Sequence, residues 1–371
     1  MKPKLLLSVN SAWNIVNFRS GLIGALQTDG WDVITAAPED AHVDRVRALG
    51  CRFFALPMDN GGTHPWRDLM LYRRYRALMR AERPAAFLGF TIKPNVYGSL
   101  AANALGVPVV NNIAGLGTAF VRQTWLTHVA RGLYRQALRR SHRVLFQNED
   151  DRRYFINSGL VAATRTDRVP GSGVDLAAFA PAPFPTRTES GPVRFLFVGR
   201  VLRDKGIIEY VQAARQLRAA GVAAEFSILG QLEAQNATAV SREDVADWVA
   251  EGAVRYLDFA DDVRAHIAAA HCVVLPSYRE GVPRSLLEAA SMARPLIATD
   301  AVGCRDVVDD GSNGYLVRVA DSGDLAEKCA RFAALSVDEQ SRMGLASRRK
   351  AEHDFDEQIV FAKYLACLRA L

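Results

Sequence analysis

Glu280 and Glu288 stand with seven residues between them, in the run Tyr278-Arg279-Glu280-Gly281-Val282-Pro283-Arg284-Ser285-Leu286-Leu287-Glu288. A carboxylate can accept from two adjacent hydroxyls, such as the 2′,3′ pair of a ribose, or offset positive charge at a reacting centre. The run follows Cys272-Val273-Val274-Leu275-Pro276-Ser277, which reads as a buried strand ending in a turn. Gly281 lets the backbone approach a ligand, and Pro283 suits the first position of a helix. That places Glu280 in the loop and Glu288 about a turn inside the helix, with Leu286, Leu287 and Ala290 toward a core. Amides from Arg284 to Leu286 would lack partners at the helix start and could hold phosphate. On these residues alone the pair reads as readily as a capping acid and a solvated helix residue.

A second cluster is cationic. Val198 leads into Gly199-Arg200-Val201-Leu202-Arg203-Asp204-Lys205-Gly206, with a helix expected from about Ile208. Cations converging near a helix N-terminus suit a diphosphate. Surface cations on a strand-to-helix loop are the plain alternative. The G-x-G-x-x-G spacing of dinucleotide dehydrogenases is absent here and after the first strand, which demotes a hydride-transfer enzyme.

These loops need a scaffold that presents strand ends. Strand-like runs at Lys4–Val9, Asp32–Thr35, Arg52–Leu56, Ala86–Phe90, Val107–Asn111 and Val144–Gln147 alternate with amphipathic segments. The rhythm stops over Pro170–Pro192, with five prolines and three glycines. It restarts at Val193–Val198, Glu225–Leu229, Val254–Leu257, Cys272–Leu275, Leu296–Ala298 and Tyr315–Val317. Alternating strands and helices predict parallel sheets covered on both faces. We read an α/β chain of two Rossmann-like, doubly wound domains facing across a deep cleft, at 1–178 and 179–354. A last helix at about 355–371 could pack back on the first. Ligands of such sheets bind at the carboxyl ends of strands.

Composition bounds the rest. Five scattered cysteines with no C-x-x-C pair argue for a reducing compartment and against a disulfide framework or structural zinc. The apolar run at the N-terminus is too short for a signal-peptide core, and no stretch approaches the 18 apolar residues of a span. Residues 1–178 carry 23 Lys and Arg against 13 Asp and Glu, and the remainder 23 against 27. A basic front half suits an anionic surface or ligand, or is simply an Arg-rich solvated face. No nucleic-acid-binding motif accompanies the charge.

The Glu280–Glu288 segment, in its strand–loop–helix context, resembles the family-4 retaining glycosyltransferases of the GT-B fold. The likeness extends to Gly199-Arg200…Lys205-Gly206, Gly171–Asp175, Arg294–Gly303 and Asp309–Val317. It implies that Arg200 and Lys205 hold the donor diphosphate as leaving group and that Glu280 contacts the transferred sugar. Glu288 would bind the donor ribose. Backbone from Gly281, Val282, Pro283, Arg284, Ser285 and Leu286, with Gly199, would complete the donor site. The nucleobase is expected near Leu257–Asp262. No metal or other cofactor is implied, the two cations standing in for one. Ala293 occupies a place where many members have glycine. The histidine that many members carry near Val107–Asn111 is missing, with Asn112 the nearest candidate to take over any role.

The front half resembles a bacterial subgroup that extends undecaprenyl-diphosphate-linked saccharides, including an α-1,3-N-acetylgalactosaminyltransferase. The matching stretches are Asn10–Asn14, Asn17–Arg19, Thr91–Gly98 and Asn111–Phe120. This implies a lipid-linked saccharide acceptor with Asn14, Lys93 and Asn112 on its side; Lys93 also reads as a lone surface lysine. UDP-HexNAc is the favoured nucleotide sugar, with UDP-hexose or a GDP-sugar and a soluble acceptor as alternatives. Basic, aromatic segments at Leu69–Arg80 and Phe120–Arg140 read either as core-packed helices with a solvated basic back or as helices lying on an anionic bilayer, the latter placing the protein in the cytoplasm, peripheral to the inner face of the bacterial inner membrane. A sugar-nucleotide epimerase and an inactive carbohydrate-binding protein on the same scaffold are the rival readings.

Overall fold

The computed structural model describes residues 2–59, 64–115, 125–187, 191–232, 236 and 238–371, the side chains of 125–128 apart. The chain divides into two compact units, one of Met1–Ser172 with Glu357–Leu371, the other Gly173–Asp356. The division thus falls at Gly173, where the sequence reading put it at residue 179.

The first unit holds a sheet in the order β3-β2-β1-β4-β5-β6-β7, every pairing parallel. Its strands are β1 (Lys4–Ser8), β2 (Asp32–Ala37), β3 (Arg52–Ala55), β4 (Ala86–Phe90), β5 (Val109–Ile113), β6 (Arg143–Phe146) and β7 (Thr166–Arg168). Successive residues of a strand point to opposite faces, so the run Leu5-Leu6-Leu7 feeds two cores. Leu5 and Leu7 pack with Val33, Leu88 and Val110 on one face, and Leu6 packs with Ile34, Phe87 and Val109 on the other. Burial of both faces makes the central strands almost continuously apolar. β7 had no such signature, because Asp167 and Arg168 are exposed at the sheet edge.

The C-terminal helix Glu357–Arg369 belongs to this unit and sinks Val360, Phe361 and Tyr364 into the first face. Lys363 pairs with Asp167, and Arg369 with Asp29. The helix Pro65–Glu82 covers the other face with Leu71, Tyr75 and Met79. Among the described residues no helix is long and apolar enough to cross a membrane.

The second unit holds a parallel sheet in the order β10-β9-β8-β11-β12-β13. The strands are β8 (Val193–Val198), β9 (Ala224–Leu229), β10 (Arg255–Tyr256), β11 (Cys272–Leu275), β12 (Leu296–Thr299) and β13 (Gly314–Val317). Phe195 stacks on Phe226 at 4.9 Å, and the buried Tyr210 hydroxyl lies 3.0 Å from both the Phe195 and Ser227 carbonyls.

The proline-rich segment after residue 170 is pinned to this unit. Arg294, fully buried, donates to carbonyls of Ala182, Pro183, Ile267, Ala268, Met292 and Ala293. Six neutral acceptors replace the water a guanidinium requires. Burial still draws its pKa down to about 10.

Candidate functional site

Strand order reverses at β8 in the second unit, between β9 on one side and β11 on the other. The crevice outside such a reversal is where doubly wound sheets bind ligands. Both motifs singled out from the sequence follow these two strands. After β8 the chain passes Gly199 and the exposed Arg200, then turns at Arg203–Lys205 into the helix Ile207–Ala219. Gly206 has φ 72°, and a Cβ there would stand 2.0 Å from the Pro276 carbonyl oxygen. Only glycine lets the lysine turn lie flat on the end of β11.

That contact brings Lys205 to Glu280. The lysine Nζ donates to Glu280 Oε1, and the same oxygen lies 2.8 Å from the Ser277 hydroxyl. Ser277 is fully buried, and its hydroxyl is also 3.2 Å from the Asp204 carbonyl. Tyr278 N–H donates to that carbonyl at 2.9 Å, and the Tyr278 hydroxyl donates to Glu209 Oε1 at 2.7 Å. Burial and then the Glu209 carboxylate push the Tyr278 pKa up, so the phenol stays a donor. From the other side Glu280 N–H donates to the Val302 carbonyl at 3.0 Å. Gly303, at φ 83°, admits the Gly281 carbonyl, which a Cβ would meet at 2.2 Å. Sequence reasoning missed Ser277, Tyr278 and Glu209. The Pro-Ser turn was visible, but only the fold shows what the serine touches.

The second glutamate sits on the helix Arg284–Ser291. Pro283 is its N-cap, in extended conformation, one position earlier than expected. Arg284 Nε donates to Glu288 Oε1 at 2.7 Å across one helical turn. Burial raises the Glu288 pKa, and Arg284 opposes the rise. The expected donor run needs one correction. Leu286 N–H is spent on the Pro283 carbonyl at 3.1 Å, and its side chain is fully buried, so it has nothing to give a phosphate. Val282 packs partly buried against the core. The Ser285 amide has no protein acceptor among the described residues.

The expected nucleobase loop lies beyond β10. Asp258 holds φ 60°, a region costly for a residue with a Cβ, and Gly230 N–H donates to its carbonyl at 2.9 Å. This fixes Phe259, about half exposed, beside the end of β9.

The first unit reverses order at β1, flanked by β2 and β4. Asn14 lies in the helix after β1; its amide N–H donates to the Ser11 cap at 3.1 Å, while its buried Oδ1 has no partner among the described residues. The loop after β4 begins at Thr91 with φ 61°, an outlier for a β-branched residue, and passes into a π-helical turn Pro94–Gly98. Asn95 anchors that turn, donating to the Asn112 carbonyl at 2.8 Å and accepting from Asn111 at 2.9 Å.

Two acceptor-side expectations change here. Lys93 Nζ donates to Asp68 Oδ1 at 2.7 Å, and Tyr97 donates to the other oxygen at 2.9 Å, so Lys93 is not a lone surface lysine. Asn112 is fully buried within β5, so its side chain cannot take over the missing histidine's role toward a solvent-borne acceptor. Of the Asn111–Phe120 stretch, residues 116–120 lie outside the described residues, as does 121–124 of the second basic segment.

Comparisons with known proteins bear on the whole. A family model described as "Glycosyl transferase 4-like domain" matches residues 16–171, and one described as "Glycosyl transferases group 1" matches 192–334. The N,N′-diacetylbacillosaminyl-diphospho-undecaprenol α-1,3-N-acetylgalactosaminyltransferase of Campylobacter jejuni is 25% identical, over 95% of this chain and 94% of its own. A UDP-Gal:α-D-GlcNAc-diphosphoundecaprenol α-1,3-galactosyltransferase of Escherichia coli is 25% identical over 62% of this chain and 61% of its own. Among solved structures, Anabaena HepE in complex with UDP and glucose superposes with a TM-score of 0.77 at 18% identity, both chains covered fully. Two doubly wound units, matched in the expected order by a glycosyl transferase 4-like model and a glycosyl transferases group 1 model, identify the chain as a glycosyltransferase of the GT-B fold.

Proposed function

We propose that the enzyme transfers HexNAc from UDP-HexNAc, with retention and without a metal, to a polyprenyl-diphosphate-linked saccharide during assembly of a bacterial surface glycan. The observation that carries the donor half is the Lys205–Glu280–Ser277 contact at the strand reversal, with the exposed Arg200 on the same loop. Arg200 and Lys205 take the diphosphate. As the bond from the anomeric carbon to the diphosphate breaks, they stabilise the charge that gathers on the leaving oxygen. The acceptor hydroxyl forms the new bond on the same face and passes its proton to the departing diphosphate. Glu280 offsets positive charge on the sugar, and Glu288 accepts from the ribose hydroxyls.

The acceptor half rests on the two relatives just named, both acting on undecaprenyl-diphosphate-linked saccharides by name. It rests also on the basic first unit, whose helix Pro65–Glu82 exposes Trp66, Met70, Arg73 and Arg80. We place the protein at the cytoplasmic face of the inner membrane.

The test incubates the enzyme with UDP-GalNAc, UDP-GlcNAc, UDP-glucose, UDP-galactose and GDP-mannose, with and without an undecaprenyl-diphosphate saccharide. Acceptor-dependent release of UDP from a UDP-HexNAc is expected. Inversion at C2 or C4 without acceptor would make it an epimerase instead. Glu280→Ala should cut kcat about 10²–10³-fold, the scale of losing one preorganised electrostatic group, with an unchanged melting temperature. Near-native turnover in that variant would sink the role given to Glu280.

A further inference from the structure

Both site glutamates are held in the same way. Each gives Oε1 to a cation of its own unit, Lys205 for Glu280 and Arg284 for Glu288, while Oε2 makes no hydrogen bond among the described residues. For Glu280 the arrangement has an obvious use, since Lys205 is wanted at the diphosphate. Arg284 has no such assignment. It is the first residue of its helix, its side chain is about one quarter exposed, and it lies over a carboxylate whose side chain is 13% exposed.

Burial pushes the pKa of that carboxyl up, toward the form that donates rather than accepts and binds a diol poorly. Asp262, whose charge adds to the pressure toward protonation, lies on the loop beyond β10. A long flexible side chain facing this environment would also have several rotamers to choose from. A guanidinium one turn away on the same helix acts on both. Its Nε bond fixes the rotamer, and its charge opposes the rise. The untethered Oε2 is then the atom left to receive a ribose hydroxyl.

We propose that Arg284 is a positioning residue for nucleotide recognition: its side chain holds Glu288 aimed through Oε1, and so sets the preference of the donor site for a ribose bearing its hydroxyls. This rests on the reading of Glu288 as the ribose acceptor. It assigns to the Arg284 side chain a duty that backbone contacts at this position do not supply.

The test measures binding of UDP, GDP and 2′,3′-dideoxy-UDP to the full chain by calorimetry, across pH 5.5–8.5, for wild type, Arg284→Met, Arg284→Lys and Glu288→Gln. Arg284→Met should weaken binding of the preferred ribonucleotide about tenfold, the scale of one charge-assisted hydrogen bond. It should leave dideoxy-UDP binding within twofold. The pH below which ribonucleotide affinity falls should move upward in that variant, because Glu288 then titrates without its cation. Arg284→Lys, which keeps a charge but not the fork, should recover part of the loss and serves also if the methionine variant folds poorly. Equal weakening of UDP and dideoxy-UDP in Arg284→Met would overturn the proposal and make the arginine a phosphate contact or a structural residue. If Glu288→Gln keeps the wild-type ratio between the two nucleotides, or the wild type binds neither UDP nor GDP, the underlying ribose reading fails instead.

Discussion

At the scale of single residues, the proposed donor site is a set of short tethers, and each can be cut separately. Ser277 touches both Asp204 and Glu280 while fully buried. Ser277→Ala should therefore lower kcat about tenfold, as expected for one hydrogen bond to a charged group, with the donor KM little changed. In a Glu280→Ala background the same substitution should add almost nothing, and additive losses in that double variant would reject the coupling. Ala293 is a different case. The resemblance pointed to glycine at this position, and the structure gives it φ 58°. Relief of left-handed strain in Ala293→Gly should stabilise by about 0.5–1 kcal/mol, read as a melting point about 2–3 °C higher for a unit of this size. An unchanged or lowered melting point would show that the strain is already relaxed. Which residues to place at the proposed site was legible where the type itself is charged, as with Lys205, Glu280 and Glu288. Ser277 and Tyr278 were not, because a hydroxyl declares its role only through the atoms around it. The ion pair of Lys93 was hidden for the same reason: its partner Asp68 lies 25 residues away on another helix.

Elements were more readable than residues, because parallel strands buried on both faces must be apolar and short. Twelve of the described strands were visible as short apolar-rich runs, including the less buried edge strands β3 and β10, and only β7, polar and at an edge, left no trace. The proline-rich segment looked like a loose joint, yet Arg294 and its six carbonyl acceptors fasten it to the second unit. His271 sits at the same anchorage, fully buried, its Nδ1 accepting from Arg194 N–H at 3.0 Å. Burial, then Arg194, Arg187 and Arg294, bring its pKa down to about 4. The unfolded chain takes up this proton near pH 6.5 and the folded chain resists until about pH 4, so the unfolded state binds more protons in that window. Stability is therefore present above about pH 6.5 and lost as the pH falls toward 4, by about 3 kcal/mol in full. His271→Gln, which keeps an acceptor but does not titrate, should flatten that part of the stability curve in urea melts. Parallel curves for the two proteins would mean that other groups carry the acid sensitivity.

For the whole molecule the informative quantity is where charge resides once the units are known. Met1–Ser172 with Glu357–Leu371 carries 25 basic and 13 acidic residues, a balance of +12, and Gly173–Asp356 carries 21 and 27, a balance of −6. The structural boundary thus sharpens an asymmetry that the sequence halves showed as +10 and −4. On the helix Pro65–Glu82 the two acids turn inward, Asp68 to Lys93 and Glu82 to Lys4 and Arg52. The outward side keeps Trp66 at 72% and Met70 at 49% exposure, with Arg73 and Arg80 exposed farther along. An interfacial helix has this composition, with rings and thioethers for the acyl boundary and arginines at about 1 kcal/mol each for anionic headgroups. The full chain should bind phosphatidylglycerol vesicles and not phosphatidylcholine ones. Binding should weaken steeply with salt, because the headgroup attraction is screened within a Debye length. Trp66→Ser with Met70→Ser should reduce partitioning at least tenfold, since each buried apolar side chain is worth about 1.5–3 kcal/mol. The same pair should leave turnover of a water-soluble saccharide acceptor intact, because both residues lie away from the donor-site residues in sequence and in unit. Vesicle binding unaffected by the pair, or equal on neutral lipid, would remove this helix from the membrane surface and leave its arginines as solvated charge.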